Sequence, residues 1–154
     1  MNKRVLYVDR TPRDEREGKM TKGVLLKLQE NYEIETQTNL SYETIYLLDE
    51  KAKKNRDYDV LLTHVPYNKH TDPLRFSHLN KREFYKEYYS RSLDILRKIK
   101  ETYPKMPILA YTGANNDAEM NSLLGEVTEG VVFKSLDCDE DALKIGMALE
   151  KLLA

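Results

Sequence analysis

The sequence predicts an α/β protein built on a doubly wound, five-stranded parallel sheet with helices on both faces. Five short segments rich in apolar or β-branched residues alternate with longer segments of helical periodicity. The central segment, Tyr58–Pro66, is a nearly continuous apolar run closed by proline, which is typical of a strand buried on both faces. Because crossovers between parallel strands are right-handed, this alternation favours a doubly wound sheet.

Two strands and two helices are predicted before the central strand. Arg4–Asp9 is the first strand, and Val24–Glu30 is the firm part of a first helix because its valine and leucines share one face. Tyr32–Thr38 alternates Tyr, Ile and Thr with Glu and Gln, which predicts a half-exposed edge strand. Ser41 is a suitable N-cap for a second helix that runs to about Lys54.

The second half of the chain predicts three helices and two strands, with a loop directly after the central strand at Tyr67–Pro73. The predicted elements are a long helix from Asn80 to about Thr102, a strand at Ile108–Thr112, a short helix through Leu124, a strand at Glu129–Lys134 and a helix at Asp139–Leu153. The acids at the start of the last helix, Asp139 to Asp141, complement its dipole.

Length and composition exclude several classes of protein. At 154 residues the chain predicts one domain, and 25 basic against 26 acidic residues give a net charge of -1, so no overall field attracts nucleic acid or membrane. A single cysteine excludes an internal disulfide framework. The sequence contains no signal-peptide core and no apolar run of membrane-spanning length, so we expect a cytoplasmic protein.

Polar residues end four of the predicted strands. Since the working site of such a sheet lies beyond the carboxyl ends of its strands, these residues are the candidates for function. They are Asp9-Arg10, Thr63-His64, Thr112-Gly113 and Lys134-Ser135.

These segments resemble the receiver domain of response regulators, along most of the chain except about Tyr67–Tyr89. Val8-Asp9-Arg10-Thr11-Pro12 is similar to the family's Val-Asp-Asp-Glu-Pro, and Asp59–Leu62 resembles the start of the phosphoacceptor strand. Ser92–Lys100 resembles the third helix, and Met106–Gly113 matches the fourth strand with its switch threonine. Phe133-Lys134-Ser135 resembles the Lys-Pro that closes the pocket. The resemblance implies a flavodoxin-like sheet with strand order 2-1-3-4-5 and a role in two-component signalling.

The sequence departs from that family where its phosphorylation chemistry resides. In the family, two acids after the first strand and an aspartate ending the third bind Mg²⁺, and that aspartate accepts the phosphoryl group. Asp9 matches one acid, but Arg10 stands in place of the other. At the acceptor position, counting from the start of the third strand gives His64, whereas counting back from the proline gives Leu62.

In either register, no carboxylate occurs between Val60 and Thr71. We therefore expect that aspartyl phosphorylation is lost, and that the guanidinium of Arg10 lies beside Asp9 in the place of Mg²⁺. We expect no metal and no other cofactor, since His64, His70 and His78 lack the spacing of metal ligands.

Four of the pocket residues also have an ordinary structural interpretation, and for Lys134 it is a solvated lysine at a strand end. Asp9 would satisfy a helix N-terminus or pair with Lys134, and Thr112 would be a turn hydroxyl. His64 would be a hydrogen-bonded packing residue.

The segment that interrupts the resemblance, at about 67–89, combines basic and aromatic residues. Such a mixture is found on surfaces that bind a partner protein or single-stranded nucleic acid, although nucleic acid is disfavoured by the net charge. The candidate surface residues are Lys81, Arg82, Phe84, Tyr85, Lys86, Tyr88 and Tyr89. The alternative is that the aromatic residues attach an extended helix to the sheet.

These observations together predict a stand-alone, non-enzymatic receiver-like module that binds a partner protein of a signalling pathway, with a homodimer left open. One alternative is a receiver phosphorylated in an unusual way, for example on His64. Another is a small flavodoxin-like enzyme or nucleotide-binding protein, although no glycine-rich loop follows the first strand and no nucleophile–base pair is evident.

Overall fold

The structure, a computed structural model, describes residues 2–9, 15–38, 40–65, 80–113, 118–135 and 137–154. Within its helices, the description leaves out the side chains at 15–21, 81–82 and 84–89. In these ranges the strands are β1 (Arg4–Val8), β2 (Glu33–Gln37), β3 (Val60–His64), β4 (Ile108–Thr112) and β5 (Gly130–Phe133), and the helices are α1 (Glu15–Leu28), α2 (Tyr42–Lys53), α3 (Lys81–Thr102), α4 (Ala118–Gly125) and α5 (Cys138–Leu152).

The five described strands form one parallel sheet in the order β2-β1-β3-β4-β5, which confirms the predicted fold class and strand order. Every residue of β3 and β4 is buried, as expected for central strands covered on both faces. The edge strand β2 is only partly buried, as its alternating sequence predicts.

A hydrophobic core lies on each face of the sheet. On one face, α2, α3 and α4 pack on Leu6, Leu61 and Ile108; on the other, α1 and α5 pack on residues of opposite parity such as Leu62 and Leu109. Because successive strand side chains point to opposite faces, each central strand contributes to both cores.

The helix caps agree with the sequence. Ser41 caps α2 in a capping box with Thr44, and Asn80 caps α3 in a capping box with Glu83, so the predicted long helix begins where expected. Asp137 caps α5, which begins one residue before the predicted Asp139.

Some element boundaries differ from the predictions by one or two residues. The strand β1 ends at Val8 rather than Asp9, although the N–H of Asp9 still donates to the carbonyl of Gln37, the last residue of β2. The predicted loop at Tyr67–Pro73 lies outside the described residues. None of the described helices is long and apolar enough to cross a lipid bilayer.

Candidate functional site

The carboxyl ends of the strands bring together the polar residues that the sequence singles out. Asp9 follows β1, His64 ends β3, Thr112 ends β4 and Lys134 follows β5. The fifth candidate, Arg10, lies outside the described residues, and so does its expected contact with Asp9.

Asp9 and His64 form the centre of this site. Nδ1 of His64 lies 3.5 Å from Oδ1 of Asp9, and both side chains are almost fully buried, with 7% and 8% of their surfaces exposed. The hydroxyl of Tyr7 donates a hydrogen bond of 2.8 Å to the other carboxylate oxygen, Oδ2. The carboxylate of Asp9 is thus held between a phenol and an imidazole.

The two candidate acceptor positions on β3, His64 and Leu62, lie in different surroundings. Val8 pairs with Thr63, so the next residues along the two strands are Asp9 and His64. Leu62 is completely buried in the core beneath α1 and α5. The side chain at the end of β3 that faces Asp9 is therefore the imidazole of His64.

The two threonines at the strand ends bond to backbone carbonyls. The hydroxyl of Thr112 is fully buried and donates to the carbonyl of Val65 at 3.0 Å, and the hydroxyl of Thr63 donates to the carbonyl of His64 at 3.2 Å. These bonds fix the backbone that leaves β3 against the end of β4.

A second buried carboxylate, which the sequence did not indicate as part of the site, lies next to the first. Asp141 is completely buried in the first turn of α5, where it accepts hydrogen bonds from the hydroxyl of Tyr111, from the N–H of Ser135 at 3.0 Å and from the hydroxyl of Ser135 at 2.7 Å. Tyr111 pairs with His64 across β3 and β4, so this cluster continues directly from the first. The amino group of Lys134 lies 5.0 Å from the centre of the Tyr111 ring, within the range of a cation–π contact.

Burial and the two carboxylates keep the tyrosines of this site protonated. Burial is the largest cause that raises the pKa of Tyr7 far above its usual value, followed by the charge of Asp9 and its hydrogen bond. Burial also raises the pKa of Tyr111 most strongly, followed by its hydrogen bond to Asp141. A phenol is already protonated at neutral pH, and the raised pKa values keep both hydroxyls as hydrogen-bond donors at alkaline pH as well.

The described residues of the site do not fit Mg²⁺, the ion that the resemblance implies. Magnesium prefers several hard oxygen ligands in octahedral geometry, whereas the site offers the carboxylate of Asp9 beside the nitrogen of His64. No group of three or more His, Cys, Asp or Glu side chains arranged to hold a metal occurs in the described part of the chain.

The predicted partner surface remains a prediction. The backbone at Lys81–Tyr89 is helical and forms the start of α3. The side chains of the seven candidate residues in this range lie outside the described part of the structure.

Comparison with known proteins places the fold among receiver domains. No protein-family model matches the chain, and a search of curated proteins found no match. Among solved structures, the chemotaxis response regulator CheY4 of Vibrio cholerae is 21% identical, with a TM-score of 0.61, over 99% of this chain and 100% of its own. A CheY-like response regulator receiver domain protein from Methanospirillum hungatei JF-1 is 16% identical, with a TM-score of 0.57, over 99% of this chain and 97% of its own.

A larger regulator is similar over part of its length. The chain matches 54% of DrrB, an OmpR/PhoB homolog of Thermotoga maritima, at 17% identity and a TM-score of 0.56, over 98% of this chain. At these identities the likeness shows the fold, which is that of CheY-like receiver domains.

Proposed function

We propose that this chain is a receiver-like signalling module that acts by binding a partner protein and does not depend on aspartyl phosphorylation. The observation that carries the proposal is the contact of His64 with Asp9. An imidazole stands at the strand end where the receiver family carries its acceptor aspartate, and it is buried against the one remaining acid of the metal pair. An imidazole cannot form an acyl phosphate, and a nitrogen ligand with one carboxylate is a poor site for Mg²⁺.

The surroundings of the pocket support the same proposal. In the receiver family, the metal and the phosphoryl group satisfy the charges at the strand ends. Here Asp9 accepts a hydrogen bond from Tyr7 and lies against His64, and the cation of Lys134 lies over the ring of Tyr111. Asp9 and Lys134 therefore have partners within the protein without a bound ligand.

The experiment is phosphorylation by a small donor. The purified protein is incubated with acetyl phosphate and Mg²⁺, and its intact mass is recorded alongside that of His64→Asn. We expect neither protein to gain the mass of a phosphoryl group, because the acceptor carboxylate is missing. A stoichiometric gain in the wild-type protein would contradict the proposal.

The same experiment addresses a second candidate function, phosphorylation of His64 itself. The carboxylate of Asp9 beside Nδ1 could orient the imidazole as a nucleophile, which favours this candidate, whereas an exposed fraction of only 7% opposes access by a donor. A mass gain in the wild-type protein that is absent from His64→Asn would support the histidine candidate.

For the binding function, the basic and aromatic residues at the start of α3 remain the partner surface that the sequence proposes. The side chains concerned are Lys81, Arg82, Phe84, Tyr85, Lys86, Tyr88 and Tyr89.

A further inference from the structure

A pocket of about 500 Å³ lies at the amino-terminal edge of the sheet, opposite the edge that carries the candidate functional site. Its apolar lining comes from Leu48 and Ala52 of α2 and from Met106, which precedes β4. The rings of Tyr58 and Tyr103 complete this part of the lining. The volume and the apolar, aromatic lining are those of a site for a small molecule.

The charged residues of the lining are Asp57, Asp59 and Lys105. Asp59 accepts a hydrogen bond of 2.7 Å from the backbone N–H of Arg4, which is a neutral donor. Within the described ranges, neither aspartate forms an ion pair. Two carboxylates against one ammonium leave the lining with an excess of negative charge.

The ends of two helices add to this negative potential. Ala52 lies in the last turn of α2, and Tyr103 is the C-cap of α3. The C-terminus of a helix carries roughly half of one negative elementary charge, because its last carbonyl groups have no partner within the helix. Since both ends lie at the pocket, the backbone also favours a cation there.

Three basic residues near the pocket have acidic partners of their own. Lys51, in the last turn of α2, lies 3.4 Å from Glu35, and the guanidinium of Arg4 lies 3.9 Å from the same carboxylate. Lys100, in the last turn of α3, is paired with Glu129. These cations therefore offset little of the negative charge in the pocket.

The pKa of Tyr103 reflects this charge. Burial raises the pKa of Tyr103 to about 12, followed by its hydrogen bond to Asp49 and by the charges of Asp49 and Asp57. The face of an aromatic ring attracts a cation, and so do the carboxylates beside it. The two effects act at the same place.

We propose that this pocket binds a small organic cation, a primary amine carried on a flat aromatic body. The aromatic body packs against the tyrosine rings and the apolar lining, and the ammonium group lies at Asp57 and Asp59. The site is separate from the pocket function proposed above, because the full length of β3 lies between Asp59 and His64. For a ligand of this size we expect a dissociation constant on the order of 0.1–1 mM.

Three indoles that differ in one group test the proposal in titrations followed by amide NMR shifts. Tryptamine carries an ammonium group, tryptophol a hydroxyl and indole-3-acetate a carboxylate. We expect tryptamine to give saturable shifts around Asp57–Asp59 and Tyr103–Met106, with a dissociation constant at least about threefold below that of tryptophol. Indole-3-acetate should bind more weakly than tryptophol, and added salt should weaken the binding of tryptamine but not of tryptophol.

Variants that change one charge should shift the affinity for tryptamine in opposite directions. Asp57→Asn and Asp59→Asn should each raise the dissociation constant about two- to fivefold, whereas Lys105→Gln should lower it. Ala52→Leu should abolish binding, because the larger side chain occupies the pocket. The matched control is Asp94→Asn, since Asp94 is exposed on α3 and does not line the pocket.

Equal affinities for tryptamine and tryptophol would overturn the proposal, because the pocket would then recognise apolar surface alone. No saturable shift up to about 10 mM tryptamine would also overturn it, since that is well above the expected dissociation constant. Saturable shifts that persist in Ala52→Leu would place the ligand elsewhere and overturn it too.

Discussion

The hydrogen bond between Tyr111 and Asp141 gives the most quantitative test of the structure. Both residues are buried, with 2% and 0% of their surfaces exposed, and the bond joins β4 to α5. Tyr111→Phe removes one hydrogen bond to a charged acceptor, which should cost about 1.5–3 kcal/mol in the free energy of unfolding. Asp141→Ala should cost about 2–6 kcal/mol, because the hydroxyl of Tyr111 and the N–H of Ser135 each lose an acceptor at about 1–3 kcal/mol.

Urea unfolding of Tyr111→Phe, Asp141→Ala and the double variant measures the loss in the free energy of unfolding for each, and the coupling energy between the two residues. The control is Tyr103→Phe: this tyrosine also donates its hydroxyl to a carboxylate, that of Asp49, but its side chain is only partly buried. We expect the control to lose less than about 1 kcal/mol. Equal losses for Tyr111→Phe and Tyr103→Phe would refute the reasoning. A double variant whose loss is the sum of the single losses would also refute it, because contacting residues should not be additive.

Two further predictions concern a helix contact and the edge of the sheet. Gly23→Ala should destabilise the protein by about 1–3 kcal/mol, because the new Cβ would lie 2.8 Å from Sγ of Cys138. Gly146→Ala, whose Cβ would meet no atom, should stabilise the protein by up to about 1 kcal/mol. Urea unfolding at low protein concentration should show changes of opposite sign for the two variants. The hydrogen bond from Tyr58 lowers the pKa of Glu35 below its usual value of 4.5. The ionised Glu35 therefore stabilises the fold above pH 4.5, and this stabilisation is lost as the pH falls through the lowered pKa. Glu35→Gln should therefore lose less stability than the wild-type protein between about pH 5 and pH 3, whereas an equal loss would contradict this origin of the shift.

The fold could be predicted because its elements depend on local signals. The strand β4, at Ile108–Thr112, has the predicted bounds, since Pro107 and Gly113 interrupt the apolar run on both sides. The start of α3 was also predicted, because Asn80 with Glu83 three residues later is a local capping signal. Neither inference required knowledge of distant contacts.

The site could be predicted only in part. Asp9, His64 and Thr112 were found because parallel strands deliver their final residues to one edge of the sheet. Asp141 was interpreted only as a charge that complements the helix dipole, whereas its side chain is buried against Tyr111, 30 residues away. The angle at which α5 crosses the sheet decides this contact, and no local pattern records that angle.

Two tyrosines of the site were not predicted from the sequence. Tyr7 and Tyr111 are almost fully buried. Each donates its hydroxyl to a carboxylate, Asp9 or Asp141, which offsets the cost of burying both groups. A tyrosine beside a strand-end carboxylate, as in Tyr7-Val8-Asp9, is the sequence signal that could have indicated the first pair, because the two side chains share a face.

The same pairs bear on the function that we propose for the pocket. A pocket that switches needs polar groups whose partners change when a ligand binds, since a ligand shifts an equilibrium only by its differential affinity for two states. In this site the carboxylates of Asp9 and Asp141 accept hydrogen bonds from the hydroxyls of Tyr7 and Tyr111. The second pair ends in the first turn of α5, so its hydrogen bond joins that helix to β4. The hydrogen bond between Tyr111 and Asp141 is therefore a contact that any movement of α5 away from β4 would have to break.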